Sequence, residues 1–346
     1  MIENPSVAVV ILNYNGKHWL EQFLPNVIQH SDAPNVSIYV ADNASTDDSV
    51  AYLKQTFPII NIVQNPINTG YAGGYNDALK KIESDYYVLL NSDVEVTSNW
   101  INAVIDEMKK DESIAASQPK ILSYHEKNKF EYAGAAGGFI DKYGYPFCRG
   151  RIFDTCEIDE GQYNQNTEIF WASGACLFIK SKLFHQVGGF DAEFFAHMEE
   201  IDLCWRLKNL GYKITYSANS TVYHVGGGTL NKTNARKTFL NFRNNRILLF
   251  KNLPTSTLNT IEKTRNFLDF IAWMKAFISG NFEEAKAIKN ALNEYQQSKH
   301  KWTKKQALAQ HNSIETPNKI GIFEGSIVWQ YYIKGIKKFS ELVMSD

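Results

Sequence analysis

The sequence predicts an α/β protein in which a mostly parallel sheet is flanked by helices, followed by a helical C-terminal extension. Short apolar runs alternate with amphipathic helical patterns over the first 120 residues, the order that a parallel sheet requires. The run 86–90 is apolar and bounded by polar residues, as in a central strand. After Ala235 the pattern is mainly helical. With 346 residues, 44% of them hydrophobic, the chain can bury a sizeable core.

The elements of the first half follow from periodicity. Strands are expected at 7–12, 36–40, 59–63 and 86–90. Helices are expected from about 17 to 31, at 72–82 and around 101–108. A further helix is expected to follow a capping box formed by Ser45 and Asp48. This alternation predicts adjacent parallel strands with helices on both faces of the sheet.

The second half is less regular. Residues 123–168 are rich in glycine, tyrosine and charge, and are predicted to form long loops with short strands. Regular elements are predicted again at 176–179 (strand), 199–210 (helix, ending at Gly211) and 221–223 (strand). The helical extension is expected to be interrupted at Pro254 and in a polar stretch near 310–318.

Composition narrows the class of protein. No apolar run approaches the roughly 20 residues of a membrane span, and the N-terminus lacks the pattern of a signal peptide. The four cysteines show no metal-ligand spacing, so free thiols in a reducing cytoplasm are expected. From Leu230 onward, 19 Lys/Arg stand against 9 Asp/Glu, compared with 17 and 28 before it. This basic region suits an anionic surface or a solvated helical face, and both interpretations remain open.

The most informative stretch follows the strand at 86–90 and has the sequence Asn91-Ser92-Asp93-Val94-Glu95-Val96. An acidic residue just past a parallel strand lies where open α/β sheets bind ligands. Its carboxylate can hold a divalent cation, and the cation can hold a diphosphate. Asp93 is therefore a candidate metal ligand, with an ordinary strand-end turn as the alternative.

Several motifs occur in an order that resembles the family 2 glycosyltransferases, over about residues 5–250. They are VILNYN at 10–15, ADNASTD at 41–47, NTGYAGGYN at 68–76, LNSD at 90–93, WASGA at 171–175, GFD at 189–191, EEIDLCWR at 199–206, and His224. One such match would be weak, but the ordered set is specific. The sequence looks most like the branch that includes bacterial rhamnosyltransferases and cell-surface polysaccharide enzymes.

This resemblance implies a GT-A fold with a catalytic domain at 1–235 and a helical extension at 236–346. Within the domain, 1–120 would form the nucleotide-binding half and 121–235 the acceptor-binding half. The implied reaction is a metal-dependent, inverting transfer of a sugar from a UDP- or dTDP-sugar. The implied acceptor is a hydroxyl of a glycan or a lipid-linked molecule in bacterial surface polysaccharide synthesis.

The resemblance also implies which residues contact the donor nucleotide: Asn13, Asp42, Asn43, Gly70, Gly74, Asn76 and Ser92. Asn13 and Asp42 each end a predicted strand, and an aspartate can accept the N3–H of uracil or thymine. Guanine offers N–H donors as well, so the base is only suggested. An Asx turn is the alternative for Asp42, and a tight loop-to-helix turn is the alternative for the glycines.

The segment 91–93 matches the family's DxD motif with its first aspartate replaced by Asn91. Asp93 and His224 are the implied ligands of Mg²⁺ or Mn²⁺, and the lost charge predicts weaker metal affinity. The glycine-rich run 225–229 could close over a diphosphate. A structural histidine is the alternative for His224.

Glu199 and Glu200 align with the family's Glu-Asp pair, whose aspartate is the usual general base. Glu200 is therefore the first choice as base and Glu199 the second, with favourable charge at a helix N-terminus as the alternative. Asp202 and Arg206 are expected to form a structural ion pair.

The acceptor side is implied to include Trp171, Ser173 and Gly174, because an aromatic ring can stack on a sugar and small residues leave room for it. A plain core position is the alternative for Trp171. Arg149 and Arg151 are further candidates for a phosphate contact.

Two other classes compete with an active transferase. A nucleotide-sugar binding protein that has lost catalysis is suggested by Asn91 and Glu200, which replace aspartates. A nucleotidyltransferase is disfavoured, because residues 13–17 lack a loop rich in glycine and arginine.

The location and partners are also expectations. We expect a cytoplasmic protein without a nucleic-acid partner. The helical segments 241–250 and 327–334 mix charge with apolar residues. Packing on the catalytic domain is favoured for them, while peripheral contact with the inner face of the plasma membrane and homodimerisation remain open.

Overall fold

The computed structural model describes residues 4–226, 235–311, 313–315 and 317–344. Its strands are β1 (Val7–Asn13), β2 (Val36–Asp42), β3 (Asn61–Gln64), β4 (Tyr86–Asn91), β5 (Val94–Val96), β6 (Ile114–Ser123), β7 (Gly138–Asp141), β8 (Pro146–Cys148), β9 (Arg151–Ile152), β10 (Thr155–Cys156), β11 (Thr167–Ile169), β12 (Cys176–Lys180), β13 (Lys213–His224) and β14 (Ile322–Phe323). Its α-helices are α1 (Lys17–His30), α2 (Ser49–Thr56), α3 (Gly70–Leu79), α4 (Trp100–Lys110), α5 (Ser181–Gln186), α6 (Glu199–Asn209), α7 (Ala235–Asn252), α8 (Thr255–Ile278), α9 (Phe282–His311) and α10 (Ile327–Tyr332).

The main sheet has the strand order β11-β13-β6-β12-β4-β1-β2-β3, with β5 beside β13. The strands β3, β2, β1 and β4 are parallel, which confirms the prediction for the first half of the chain. β12 runs antiparallel between β4 and β6, so the sheet as a whole is mixed. Because β1, β2 and β4 point the same way, their carboxyl ends meet at one edge.

Helices cover both faces of this sheet, as the sequence predicts. The residues of β1 alternate between two cores: Val10 packs in the core that includes Tyr75 of α3, and Val9 in the core that includes Trp100 of α4. Both valines are fully buried. This explains why the central strands are continuously apolar rather than alternating.

Strand β6 was not predicted from the sequence, and β13 is longer than the strand predicted at 221–223. β6 passes through Pro119 and ends at Ser123. The register of β13 against β6 shifts between Ser217 and Thr221, opposite Pro119 and Lys120. A bulge is a place where a sheet tolerates proline, because a ladder hydrogen bond is already missing there.

The predicted capping box of Ser45 and Asp48 is wrong. Helix α2 begins only at Ser49, and its N-cap Asp48 makes no side-chain capping bond. The Ser45 hydroxyl instead accepts hydrogen bonds from Asn13 Nδ2 at 3.1 Å and from the Asn15 backbone N–H at 2.9 Å. Ser45 therefore accepts hydrogen bonds at the carboxyl edge of the sheet and does not cap a helix.

A second, smaller sheet has the order β10-β9-β8-β7-β14 and is built largely from the predicted irregular stretch. Its last strand, β14, comes from the C-terminal region and lies parallel to β7. The Gly321 carbonyl accepts from Ile140 N–H at 3.1 Å, and the Phe323 carbonyl accepts from Lys142 N–H at 2.9 Å. The division at residue 235 stays a prediction, but the extension contributes a strand as well as helices.

The C-terminal helices pack on the rest of the chain. The second half of α7 is almost continuously buried, from Asn244 to Asn252, and α7 lies along α9 and against α6. Packing is thus the main role of the segment 241–250, as the sequence analysis favours. Within the described residues, none of the helices combines the length and the apolar content needed to cross a membrane.

Candidate active site

The ends of β1 and β2 place Asn13 and Asp42 opposite each other at the carboxyl edge of the sheet. Both side chains are buried, and Asn13 Nδ2 donates to Asp42 Oδ1 at 3.2 Å. Asp42 Oδ2 also accepts from the Ser45 backbone N–H at 3.1 Å, a bond to the residue three positions on rather than the two positions of an Asx turn. Asn13 Oδ1 is buried without a hydrogen-bond partner among the described residues, which leaves an acceptor directed at this edge.

The glycine-rich loop packs against the protein itself. Asn43 Nδ2 donates to Asn68 Oδ1 and to the Gly70 carbonyl, each at 3.0 Å. A Cβ at Gly74 would lie 2.8 Å from Asn43 Nδ2, and a Cβ at Gly70 would lie 2.6 Å from Phe195. Tight packing alone therefore requires these glycines, and nucleotide contact by Asn43, Gly70 and Gly74 stays a prediction.

Asn76 connects α3 to the motif at 189–191. Its Nδ2 donates to the Phe190 carbonyl at 2.8 Å, and its Oδ1 accepts from the Phe190 N–H at 2.9 Å. Both polar atoms of Asn76 are thus used inside the protein, which supports a positioning role. Ser92 lies partly buried in the turn between β4 and β5.

The candidate metal site is formed where β4 and β5 meet the end of β13. His224 Nε2 lies 3.2 Å from Asp93 Oδ1 and 3.3 Å from Asn91 Nδ2, and all three groups come from strand ends. On the other side of the ring, His224 Nδ1 lies 3.1 Å from Glu131 Oε2. Glu131 is buried and was not identified from the sequence.

This cluster is strongly charged for a buried position. Burial opposes a charge on the imidazole, but the neighbouring Glu131 and Asp93 outweigh it and raise the pKa of His224 to about 10. Burial tends to raise the pKa values of the two carboxyls, but the imidazolium lowers both below their usual range. A divalent cation would replace the imidazolium proton as the charge that balances the carboxylates.

The residues at the strand ends fit a divalent cation as partial ligands. Asp93 supplies a carboxylate oxygen, His224 supplies Nε2, and a rotated amide would let Asn91 supply Oδ1. In the part of the chain that the structure describes, no three His, Cys, Asp or Glu side chains are arranged to hold a metal. A diphosphate would have to complete the coordination. Residues 227–229 of the predicted closing loop lie outside the described residues.

Glu199 and Glu200 begin helix α6, directly after a short run of unusual backbone. Phe195, His197 and Met198 all have positive φ values, between 65° and 74°. Such left-handed geometry in bulky residues is costly and is often found at functional sites. Glu199 is 5% exposed, whereas Glu200 is only partly buried.

The two carboxyl groups have different acid strengths. Burial and the neighbouring charge of Glu200 raise the pKa of Glu199 well above its usual value, and burial raises the pKa of Glu200 to about 7. The Oε2 atoms of Glu199 and Glu200 both lack a hydrogen-bond partner among the described residues. Separated acidities at one site allow one group to remain protonated while the other acts as a base near neutral pH.

Tyr71 connects this pair with the glycine-rich loop and with the predicted acceptor segment. It lies on the loop, its hydroxyl donates to the Gly174 carbonyl at 2.7 Å, and Glu199 and Glu200 lie close enough to raise its pKa further beyond the effect of burial. The sequence offered no reason to select Tyr71 apart from its motif.

The C-terminal helix α7 holds the segment that leads into the catalytic pair. Asn244 Nδ2 donates to the carbonyls of Phe194 at 2.9 Å, Ala196 at 2.9 Å and His197 at 2.8 Å. Asn244 is fully buried. The amide group of one side chain is thus a hydrogen-bond donor for three backbone carbonyls in a strained segment that lacks the regular hydrogen bonds of a helix or strand.

Charged residues behind α6 form a second connection to the extension. Asp202 accepts from Arg206 Nε at 2.9 Å, which confirms the predicted structural ion pair. Lys251 of α7 lies 2.9 Å from Asp202 and 2.7 Å from Asp191. Lys305 of α9 lies 2.8 Å from Asp191. The partners outweigh burial and lower the pKa of Asp202 to about 2, so this carboxylate stays charged.

The predicted acceptor segment is mostly core. Trp171 is 4% exposed and donates from Nε1 to the Phe139 carbonyl at 2.9 Å, so the core alternative describes its position and a ring stacked on a sugar does not. Ser173 is buried, and its hydroxyl donates to the Ala133 carbonyl. An acceptor contact by Gly174 stays a prediction.

The two candidate phosphate-binding arginines are used internally. Arg149 stacks over Tyr216 at 4.8 Å and donates to the Ala136 carbonyl. Arg151 is buried and donates to the Tyr132 carbonyl and to Cys148 Sγ. These contacts give no support to a phosphate role for either side chain.

The functional residues that the sequence analysis missed share one property: Glu131, Asn244 and Lys251 act through long-range contacts. Asn244 lies 47 to 50 positions from the carbonyls that it binds. Short-range spacing cannot show such pairs. The clearest available signal was the presence of Asn and Lys on an otherwise apolar helical face.

The mixed sheet flanked by helices is a GT-A fold. Two solved structures share the fold. TarS of S. aureus, solved with UDP-GlcNAc, has a TM-score of 0.56 at 13% identity, covering 85% of this chain and 81% of that one. GalNAc-T7, solved with UDP, GalNAc and Mn²⁺, has a TM-score of 0.56 at 15% identity, covering 72% of this chain and 48% of that one.

The particular family follows from a sequence match. The model described as Glycosyl transferase family 2 matches residues 8–188, just over half of the chain. The protein therefore belongs to glycosyltransferase family 2, which confirms the resemblance seen in the motifs.

Curated relatives are glycosyltransferases and polysaccharide-synthesis proteins. An N-acetylglucosaminyl-diphospho-decaprenol L-rhamnosyltransferase of Mycobacterium tuberculosis is 28% identical over 233 residues, covering 63% of this chain and 75% of the relative. An O-antigen biosynthesis protein of Myxococcus xanthus is 22% identical, covering 64% of this chain but only 17% of the relative. A low-salt glycan biosynthesis hexosyltransferase of Haloferax volcanii is 20% identical over 78% of this chain and 83% of the relative.

Proposed function

We propose that this glycosyltransferase moves a sugar from a UDP- or dTDP-sugar to an acceptor hydroxyl with inversion at the anomeric carbon. Glu200 takes the proton of the acceptor hydroxyl while its oxygen forms a bond to the anomeric carbon. The bond between the anomeric carbon and the phosphate oxygen breaks at the same time, and the nucleoside diphosphate leaves with its electron pair. No covalent enzyme intermediate is required.

The observation that carries this proposal is the Glu199–Glu200 pair at the start of α6. Of the two, Glu200 is partly exposed and has a pKa raised to about 7, whereas Glu199 is buried and its pKa is raised well above its usual value. A base with a pKa near 7 is half ionised near pH 7 and can both accept and release a proton. Glu200 is therefore the proposed base, with its acidity set by burial.

The donor is assigned to the edge formed by Asn13, Asp42 and Asp93. Asp42 and the unpaired Asn13 Oδ1 offer acceptors for a base N–H, which uracil, thymine and guanine all carry, so the choice of a pyrimidine donor rests on the test below. Asp93 and His224, with Asn91, would hold Mg²⁺ or Mn²⁺. When bound, such a cation offsets the negative charge that develops on the diphosphate leaving group.

The acceptor is assigned by analogy with the relatives. The Mycobacterium protein acts on a diphospho-decaprenol lipid, and others serve O-antigen and archaeal glycan synthesis. We propose a glycan or lipid-linked acceptor in surface polysaccharide synthesis for this chain. Rhamnose, glucose, galactose and N-acetylhexosamines remain candidate donor sugars.

Donor binding and catalysis can be tested separately. Calorimetry with UDP, dTDP and GDP, each with Mn²⁺ and then with EDTA, should show metal-dependent binding of one pyrimidine diphosphate. Glu200→Gln should bind that nucleotide normally but lose turnover by about 10³-fold or more, since the proton acceptor is gone. Glu83→Gln, at an exposed glutamate that precedes the amino end of β4 and so lies at the opposite end of that strand from Asn91 and Asp93, is the matched control.

The pH dependence of turnover checks the role of Glu200. Because the base must be ionised, kcat/KM should fall about tenfold per pH unit below pH 7. Nuclear magnetic resonance of the product should show the anomeric configuration opposite to that of the donor. Retained turnover in Glu200→Gln, or a product of retained configuration, would contradict the assignment.

The competing class is a donor-binding protein without catalysis. It would bind the nucleotide sugar as tightly as an enzyme but show no acceptor-dependent release of nucleoside diphosphate. The same calorimetric and turnover measurements therefore separate the two classes.

A further inference from the structure

Helix α8 carries two apolar faces, and only one of them is covered. Leu258, Ile261 and Ala276 are buried against the protein. The opposite face is exposed, and its members range from 38% exposure at Met274 to 75% at Ile278. We call it the α8 outer face; it consists of Phe267, Phe270, Ile271, Met274, Phe277 and Ile278. Their spacing of 3, 4 and 7 residues forms one stripe along the helix.

The stripe continues onto neighbouring elements. Phe277 contacts Phe282 at the start of α9, with ring centroids 5.4 Å apart. On the other side, Lys275 Nζ lies 5.2 Å above the ring of Tyr332 in α10. Trp329 and Ile333, next to Tyr332, are 54% and 63% exposed. Exposed apolar surface of this extent on one side of a protein marks an interaction site.

The charges around the stripe are mainly positive. Between residues 263 and 282 the only acidic residue is Asp269, which is buried between Arg246 at 2.7 Å and Arg265 at 3.3 Å. Lys263 and Lys275 are exposed on the same helix. The α10 region adds Lys334, Lys337 and Lys338 and has no acidic residue from 325 to 338. Glu283, next to Phe282, is an exposed acidic residue at one end of the stripe. The outer face is therefore apolar with a border in which lysines predominate.

We propose that the α8 outer face and the exposed side of α10 dock onto a membrane surface that contains anionic phospholipid. Phenylalanine, isoleucine and methionine would enter the acyl boundary, while tryptophan, tyrosine and the lysines contact the headgroups. A second copy of the chain is a poorer fit. A two-fold interface through this face would bring lysines toward lysines.

This docking surface lies outside the proposed active site and does not depend on the proposed chemistry. If the acceptor is lipid-linked, docking would keep the enzyme at the surface where that acceptor lies. Vesicle binding and nucleotide binding can be measured apart, so failure of one proposal leaves the other standing.

Vesicle flotation of the full chain tests the proposal. We expect binding to vesicles of phosphatidylcholine with about one-third phosphatidylglycerol, and at least about tenfold weaker binding to phosphatidylcholine alone. The triple variant Phe270→Gln/Ile271→Gln/Phe277→Gln should weaken binding to the anionic vesicles by about tenfold or more. Ile59→Gln, which alters a 72% exposed isoleucine in the nucleotide-binding half, should bind like the unchanged protein.

Controls keep the outcomes distinct. Because the three altered side chains are exposed, the triple variant should keep the Tm and the nucleotide affinity of the unchanged protein. Equal vesicle binding by the triple variant, or no binding by the unchanged protein at low salt, would overturn the proposal. So would a dimer in ultracentrifugation that the triple variant dissociates, when neither protein binds vesicles.

Discussion

The proposed donor edge and the proposed catalytic segment of this glycosyltransferase are built in different ways. Asn13 and Asp42 lie at the ends of two adjacent strands, and the register of β1 and β2 alone brings them together. The segment 194–198 has irregular backbone, and α7 holds it through Asn244. One region is positioned by the sheet, and the other by a helix from a distant part of the chain.

This difference predicts which changes affect binding and which affect chemistry. Changes at the sheet edge should weaken the donor without disturbing the general base. Changes in α7 should disturb the base while the nucleotide still binds. The following predictions test that separation, from the largest expected effect to the smallest.

Lys251→Ala should have the largest effect. It leaves the buried carboxylates of Asp202 and Asp191 without their shared partner, and breaking a buried ion pair costs about 3–5 kcal/mol of folding free energy. Urea unfolding measures the loss. Lys110→Ala removes an exposed pair with Glu107 and should leave the free energy of unfolding almost unchanged. Equal losses in the two variants would contradict the importance of this connection.

Asn244→Ala should lower kcat by about 10²-fold, because the segment before Glu199 loses three hydrogen bonds and Glu200 is no longer held in place. The segment held by Asn244 meets the glycine-rich loop, where Ala72 N–H donates to the Phe195 carbonyl at 3.2 Å. The Kd for the nucleotide should therefore change by much less than kcat, since Asn13 and Asp42 at the sheet edge lie outside that contact. Steady-state kinetics and calorimetry measure the two quantities. Asn290→Ala, at an exposed position of α9, is the control; a parallel loss of nucleotide affinity would show that the two regions are not separate.

Glu200→Gln should stabilise the fold above pH 7 by up to about 3 kcal/mol, the free energy of a pKa raised from 4.5 to about 7. The folded-state pKa is raised, so the folded protein keeps a proton that the unfolded chain loses between about pH 4.5 and 7. Stability contributed by that proton is present at low pH and lost as the pH rises through about 7. Glutamine removes this loss, and the advantage of the variant should disappear below about pH 4.5. Thermal unfolding across pH measures it, and a constant difference would argue against the raised pKa.

Asp42→Asn should have the smallest effect, weakening nucleotide binding by about tenfold through loss of a charged acceptor. The value of kcat at saturating donor should change little. Calorimetry with the preferred nucleoside diphosphate measures the affinity. If kcat fell as far as in Asn244→Ala, the sheet edge would be coupled to the base.

The same contrast explains what the sequence could predict. The parallel strands, the donor-edge residues and the start of α6 follow from local patterns, because strand ends and helix starts are set by neighbouring residues. Trp171 was assigned to the acceptor side from its motif, yet its burial depends on β7 packing across it. Glu131 and Asn244 were missed because their partners are remote in the chain. The exposed face of α8 could not be recognised because an apolar helical stripe has the same sequence pattern whether or not it is covered.

Because β14 is synthesised long after its partner β7, the small sheet is completed late in folding. The small sheet gains its last strand from residues 322–323 and pairs it with β7, which is made about 180 residues earlier. During translation, the edge of β7 must wait without its partner until those 180 residues have emerged. A nascent chain stopped before β14 would therefore expose an open strand edge, a surface on which chaperones and other chains can compete.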